Sequence, residues 1–504
     1  MNTAAFLLDA AHGAATVMSE AGREHTYDDL RTEAAALAAR LAAADLPPGT
    51  PVGLVAPNGM FWASAYLAAL SRGLVVVPIP VTLTRDEALA RLRWVGARAV
   101  FLGRRQVREL PTESLTDVLV VAEQAPGDPI GSPGPLEHVA VDPDADAVYM
   151  FTSGTTGRPR VARLTHRNLQ ANTESILGYL DIRPDDRMLV VLPFSYVFGA
   201  SLLHTHLRAG AAVVIQPNFV YPQSVVEKLV AERCTGFAGV PSTFHLLLRS
   251  SSFGHEAVPG LRSVQQAGGR LEPAVLHELL AAQPQARVFV MYGQTEATAR
   301  LSYLPPEELL RRPGSIGRGI PGVELSVRDE HGEPVAPGQV GEIWARGANV
   351  SPGYLDDPEA TARKMPDGVL RTGDLARVDE DGYLYVVDRS EDFIKSWGHR
   401  VASQDVEAVA MELPDLVSAA AVGVPDAAAG ERIEVVAVRR PGSEVQPSDV
   451  QAHCRTRLAK HLVPEAVHFV DRLPLNANGK VVKREVRALC VRLAEESVSG
   501  LRAS

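Results

Sequence analysis

The sequence predicts an α/β protein. A large N-terminal region of βαβ sheets plus a small antiparallel β-subdomain precedes a smaller α+β C-terminal domain. Three observations predict it. The chain has 504 residues, too many for one ordinary domain. Its first half alternates β-branched runs with helical segments, the rhythm of parallel strands joined by crossover helices. The texture then changes near residue 313 and again near Asp392, marking where one kind of packing unit gives way to the next.

The opening stretch MNTAAFLLDAAHGAATVMSE lacks a basic n-region and is interrupted by Asp9, so it reads as a first helix and not a signal peptide. An Ala-rich helix is expected from Tyr27 to Ala44, closed by the Pro47-Pro48-Gly49 turn. PVGLVAPNG, GLVVVPIPV and RAVFLG are strand-like, and MFWASAYLAALSR and RDEALARLRWVG between them are helix-like. The rhythm resumes in RMLVVLPF, GAAVVIQP and ARVFVMYG, with SVVEKLVAERC and PAVLHELLAA as helices. Beyond residue 313, GVELSVRDEHGEPV alternates through Val323, Leu325 and Val327 and turns at His331-Gly332. GEIWARG and DGYLYVVDR continue that pattern, as antiparallel hairpins do. Past Asp392, segments such as VEAVAMEL, RIEVVAVRRPG and SDVQAHCRTRLAKHL suggest a compact unit of roughly 110 residues. The charged stretch from Asp388 to Asp392 divides the chain into 1–390 and 391–504.

Hydrophobic residues at 46% and charged residues at 22% suit a large core under a wettable surface. No apolar run approaches the ~20 residues that span a bilayer. A net charge of −10 argues against a nucleic-acid partner, which needs a basic face. Cys234, Cys454 and Cys490 are far apart and lack CxxC spacing. Disulfides and structural zinc are therefore not expected, and a reducing cytoplasm is the expected setting. Only six of the fifty basic residues are lysine, so a lysine beside a motif stands out.

Two motifs are set aside. Gly317 to Gly322 matches GxGxxG, but Pro321 lies inside it and strand-like alternation follows where a helix is required. Asp142, Asp144 and Asp146 imitate a calcium loop, yet Ala147 and Ser153 stand where Gly and Glu are needed.

Four motifs carry chemistry. After the apolar run AVYMF comes Thr152-Ser153-Gly154-Thr155-Thr156-Gly157, followed by Arg158 and Arg160. Such a stretch cannot pack a core but can present N–H groups and hydroxyls to a polyanion. It is not a Walker loop, because no GK[ST] follows. Tyr292-Gly293-Gln294-Thr295-Glu296 ends a strand, where open α/β sheets form ligand crevices. Arg371-Thr372-Gly373-Asp374 places a carboxylate after a Gly turn, able to accept ribose hydroxyls. Finally, Lys480 follows an Asn-Gly turn in a chain that otherwise writes arginine.

In this order the motifs resemble the ANL superfamily of adenylating enzymes, over roughly residues 25 to 490. The resemblance implies a mobile C-terminal domain and an AMP-forming ligase that adenylates a carboxylic acid with Mg-ATP, then passes the acyl group to the thiol of coenzyme A. It implies that Thr152 to Gly157 and Arg160 clasp the phosphates, and that Gly268, Gly269 and Tyr292 flank the adenine. Thr295 would meet the α-phosphate, Glu296 would hold Mg²⁺, Asp374 and Arg389 would bind the ribose, and Lys480 would be the catalytic lysine. Tyr196, Val197, Phe198, Val240 and Gln294 would line the acid pocket. Glu391 takes the hinge position, and Lys395, Gly398 and Arg400 take the thiol-step surface.

Departures bear on substrate and acceptor. Tyr196 stands where the family often has histidine, and Val197 stands where amino-acid-activating relatives use aspartate. An α-amino acid is therefore disfavoured, and Tyr196 and Phe198 point to an apolar pocket for an aliphatic or aromatic acid. Arg160-Val161 replaces the usual Lys-Gly, which should alter phosphate handling without abolishing activity. Ser403 replaces a usual proline, with little consequence expected. A carrier-protein phosphopantetheine ends in the same thiol as coenzyme A, so a stand-alone enzyme loading an acyl-carrier protein is the alternative. A non-catalytic nucleotide-binding relative is disfavoured, because Glu296, Asp374, Arg389 and Lys480 are all present.

Overall fold

The computed structural model describes the chain apart from residues 111–114, 126–133, 153–158, 218, 220, 390–392, 427–428, 477–479 and 503–504. The description of side chains also excludes 389, 400 and 494–502. The protein is a mixed α/β chain with a large N-terminal region and a smaller C-terminal unit.

Among the described residues, two large sheets of seven and nine strands form the N-terminal region. In the first, Val75–Pro78, Pro51–Val55, Ala99–Leu102 and Leu119–Ala122 run parallel as neighbours, and the hairpin Asp146–Thr152 and Arg160–Thr165 flanks them. In the second, Arg287–Tyr292, Ser263–Gln266, Gly236–Gly239 and Arg187–Val190 are successive parallel neighbours. Val75–Pro78 and Ala99–Leu102 are buried at every position, as strands covered on both faces must be. Helix Met60–Ser71 is buried along its whole length, which explains why its sequence is apolar all round. Its core takes side chains from both sheets, Leu54 and Val76 from one and Met188 and Val213 from the other.

Local chemistry sets the helix starts. Thr26, Thr84 and Thr165 each close a capping box with the residue three positions on. The Ala-rich helix therefore starts at Tyr27 as expected, and it ends at Ala42. The region beyond residue 313 forms the expected antiparallel sheet, Val323–Arg328, Val340–Gly347, Leu370–Val378 and Leu384–Arg389. The C-terminal unit wraps the long hairpin Leu416–Asp426 and Gly430–Arg439 with helices Ser403–Ala410, Pro447–Arg457 and Lys483–Arg502.

The discarded motifs have structural explanations. A strand, Val323–Arg328, follows Gly322. Asp144 pairs with Arg167 at 2.6 Å and Asp146 with Arg163 at 3.0 Å, so both carboxylates are engaged by arginine. Among the described residues, no helix is long and apolar enough to cross a membrane.

Side chains tie the C-terminal unit to the large region. Arg249, from helix Pro241–Ser250, is buried and donates to the carbonyls of Met411 and Leu416 while pairing with Glu278. Arg270 reaches Asp405 at 3.4 Å. Ser403 corrects the expectation of little consequence: its N–H and Oγ donate to Asp388 at 2.8 and 3.0 Å, both residues being buried. A proline there would lack the N–H donor.

Candidate active site

Four neighbouring parallel strands deliver the site. The chain leaving Arg187–Val190 supplies Tyr196, Val197 and Phe198, and that leaving Gly236–Gly239 supplies Val240. Ser263–Gln266 leads to Gly268 and Gly269, and Arg287–Tyr292 ends in the segment Gly293 to Glu296. Adjacent carboxyl ends of parallel strands open a crevice because their connections diverge.

Gly268 lies at φ +91°, and a Cβ there would come within 2.9 Å of Val240 Cγ1 and 3.2 Å of Lys480 Cε. A side chain at position 268 would therefore clash with Val240 and crowd the lysine. The half-buried Lys480 arrives from a turn in which Asn476 Oδ1 accepts its N–H at 3.1 Å and Asn476 N–H donates to its carbonyl at 2.8 Å. Lys480, over two hundred residues away in sequence, is thus seated beside the Gly268 turn.

Glu296 sits in the short helix Thr295–Ala297 and is 9% exposed. Tyr354 donates its hydroxyl to Glu296 Oε1 at 2.7 Å. Burial first, and then that carboxylate, raise the Tyr354 pKa and keep the phenol protonated as a donor. Arg160 lies 5.5 Å from the Tyr354 ring centroid and 3.4 Å from Asp357, so its charge stands at the base of the hydroxyl-rich loop beside Glu296. Thr298, at φ 66°, is strained for a branched residue. It is held by its hydroxyl to the Asn349 carbonyl at 2.7 Å, while Asn349 Nδ2 donates to the Arg300 carbonyl at 2.8 Å.

Asp374, 6% exposed, accepts the Tyr292 hydroxyl at 2.5 Å and stands directly opposite Arg389 across the antiparallel sheet. Lys364 supports the preceding turn by donating to the Thr372 carbonyl at 2.7 Å. The tyrosine and the carboxylate therefore meet from two sheets, Tyr292 from Arg287–Tyr292 and Asp374 from Leu370–Val378.

Not every expected residue joins them. Ser153 to Gly157, Arg158 and Glu391 lie outside the described residues, as do the side chains of Arg389 and Arg400. Lys395 and Gly398 lie on the hairpin Ile394–Ser396 and His399–Val401, where a Cβ on Gly398 would meet open space. The tip of that hairpin is exposed, with Trp397 59% accessible, while Ile394, Ser396 and Val401 are buried. Val197 lines a cavity with Trp62, Tyr66, His204 and Thr298, while Phe198 faces another way, under the Arg300 guanidinium. Tyr354 and Arg300 escaped the sequence reading because their roles depend on contacts that no spacing announces.

Known proteins resemble this chain in sequence and fold. The AMP-binding enzyme family matches residues 8–355, and the AMP-binding enzyme C-terminal domain matches residues 405–480. A feruloyl-CoA synthase of Amycolatopsis sp is 34% identical over 94% of this chain and 95% of its own length. ATP-bound MatB from Rhodopseudomonas palustris aligns with a TM-score of 0.88 at 28% identity, covering 97% of this chain and 98% of that one. The amide bond synthetase McbA from Marinactinospora thermotolerans aligns at 0.84 and 29%, covering 97% and 99%.

Proposed function

The chain belongs to the AMP-binding enzyme family, within the ANL superfamily of adenylating enzymes, and from that premise we propose an AMP-forming carboxylate–CoA ligase. The observation that carries the reading is Lys480 seated against Gly268, at the strand ends that also present Glu296. In the first step the acid's carboxylate attacks the α-phosphorus of ATP. An O–P bond forms as the bond to pyrophosphate breaks, giving the acyl-adenylate. Two anions must meet, so positive charge at the developing phosphorane is the main demand. Lys480 supplies it as a compact, rotatable ammonium.

The remaining residues take roles their positions support. Gly268, Gly269 and Tyr292 flank the adenine, Asp374 and Arg389 take the ribose, and Thr295 contacts the α-phosphate. The loop from Thr152 to Gly157, with Arg160 at its base, receives the phosphates. Glu296 fits Mg²⁺: Tyr354 occupies Oε1 and leaves Oε2, and this ion takes one or two carboxylates besides substrate phosphates. When bound, Mg²⁺ offsets phosphate charge. Tyr354→Phe should release Glu296 from its orientation and cost about 10–100-fold in activity. Raising Mg²⁺ should recover part of that loss, which a titration measures. Insensitivity of the variant to Mg²⁺ would remove Tyr354 from this role.

In the second step a thiol sulfur attacks the acyl carbonyl and AMP leaves. Lys395, Gly398 and Arg400 belong to that step, and their hairpin is outside the crevice here. The C-terminal unit, 391–504, therefore turns about Glu391 relative to 1–390, breaking the Ser403–Asp388 and Arg249 contacts. Glu391→Pro should leave pyrophosphate release near the parent rate and slow acyl transfer by about 10-fold or more. Equal losses in both half-reactions would argue against a hinge there. The buried free thiols Cys234, Cys454 and Cys490 suit a reducing cytoplasm.

The overall test is acid-dependent pyrophosphate release with Mg·ATP, with and without coenzyme A. Release accelerated by coenzyme A supports the ligase. Release indifferent to it redirects the acyl group to a carrier-protein phosphopantetheine or, as the relative named an amide bond synthetase suggests, to an amine.

A further inference from the structure

Arg300 is 2% exposed, among the largest fully buried side chains of the protein. Its guanidinium lies 4.1 Å from the Phe198 ring centroid, and its Nε faces the Met291 thioether at 3.3 Å. Burial pushes its pKa down, and only the neighbouring Tyr179 hydroxyl opposes this. Among the described residues no carboxylate pairs with it. Unpaired buried charge is costly, and buried cations normally bring an anion with them. Arg249, likewise buried, obeys that rule through Glu278.

The position of Arg300 points to what completes it. A Cβ on Gly293 would lie 2.8 Å from Arg300 Cα, so the arginine abuts the strand-end motif of the crevice. In the same segment, Gln294 Nε2 is buried without an acceptor among the described residues. The ring it covers, Phe198, lies in the first turn of the helix Val197–Ala209, whose Val197 lines the cavity with Trp62 and Tyr66. One donor without an acceptor among the described residues, Gln294 Nε2, thus stands beside a buried guanidinium that meets a thioether, a phenol and an aromatic ring but no carboxylate.

Resting on the ligase reading above, we propose that the acid substrate carries a second anionic group, a carboxylate or its equivalent, remote from the reacting carboxylate and received by Arg300 above Phe198. Arginine suits this because its planar fork can meet a carboxylate with two parallel hydrogen bonds. Arg300 is on this view a specificity-determining residue, and Gln294 offers a further donor.

The test is pyrophosphate release with matched acids that differ only in a distal carboxylate: butyrate and succinate, hexanoate and adipate, 4-methylbenzoate and terephthalate. The wild type should favour the dianion in at least one pair by about 10-fold in kcat/KM. Arg300→Met should lower kcat/KM for that dianion by on the order of 10²-fold and spare its neutral partner, while Arg300→Lys keeps part of the preference. Preference for the neutral acid in every pair, or an unchanged preference in Arg300→Met, overturns the proposal while leaving the ligase reading intact. Silence with every acid leaves the proposal to a binding readout, and thermal shift then decides. Dianions should raise the unfolding temperature of the wild type and not that of Arg300→Met, and equal responses overturn the proposal. Arg300→Met should also melt no lower than the wild type without ligand. A lower melting temperature with unchanged acid preference marks the arginine as structural and likewise overturns it.

Discussion

Lys480→Ala cuts acid-dependent pyrophosphate release by on the order of 10²–10³-fold and leaves the chain folded, the loss expected when a preorganised charge is removed from a developing anion. The site explains both halves. The side chain is half-buried, and its Cε lies beside Gly268, so truncation opens no sealed cavity. The backbone turn survives, since Asn476 holds it through the N–H and carbonyl of residue 480. Lys480→Arg should recover little, because a planar fork cannot follow the reacting oxygens as an ammonium does. Release assays beside far-UV circular dichroism check this, and full release by the alanine variant would remove Lys480 from catalysis.

Lys483→Ala, three residues on, should do the opposite. Lys483 is paired with Glu407 and donates to Ser403 Oγ at 3.0 Å and to the Ala421 carbonyl at 2.9 Å. Deleting it leaves Glu407 without its cation in a site mostly shielded from water, at a cost of about 3–5 kcal/mol. Burial already raises the Glu407 pKa, and losing Lys483 removes a partner that lowers it. The folded variant would then bind more protons than the unfolded chain, so its stability must fall as pH rises through that raised pKa. Urea unfolding should therefore give a smaller deficit near pH 5 than near pH 8. A deficit independent of pH would mean that Glu407 does not titrate there.

These lysines mark how far the sequence could be read. Scarcity of lysine drew attention to position 480 beside its Asn-Gly turn, yet the same scarcity applies to Lys364 and Lys483. The structure gives those two backbone carbonyls and a half-buried carboxylate as partners. A composition signal tells that a residue type is retained, and only its neighbours tell whether chemistry or packing retains it. Asn349 teaches the same lesson: as sequence it stands in an N-x-S triplet, and in the fold it is a buried clamp on the Thr295–Ala297 segment.

The sequence by itself determined the α/β class and the antiparallel subdomain, and it singled out Glu296, Asp374 and Lys480 as motif residues. These are written in local periods and turns, which hydrophobic alternation and Gly positions encode within a few residues of each other. Tertiary structure alone decided that Lys480 meets Gly268, that Tyr354 orients Glu296, that Ser403 is tied to Asp388, and that Arg300 is buried without an anion. Each of these joins residues from different elements. Their energies come from burial and hydrogen bonding across contacts that exist only once the sheets are packed, and no local pattern records them.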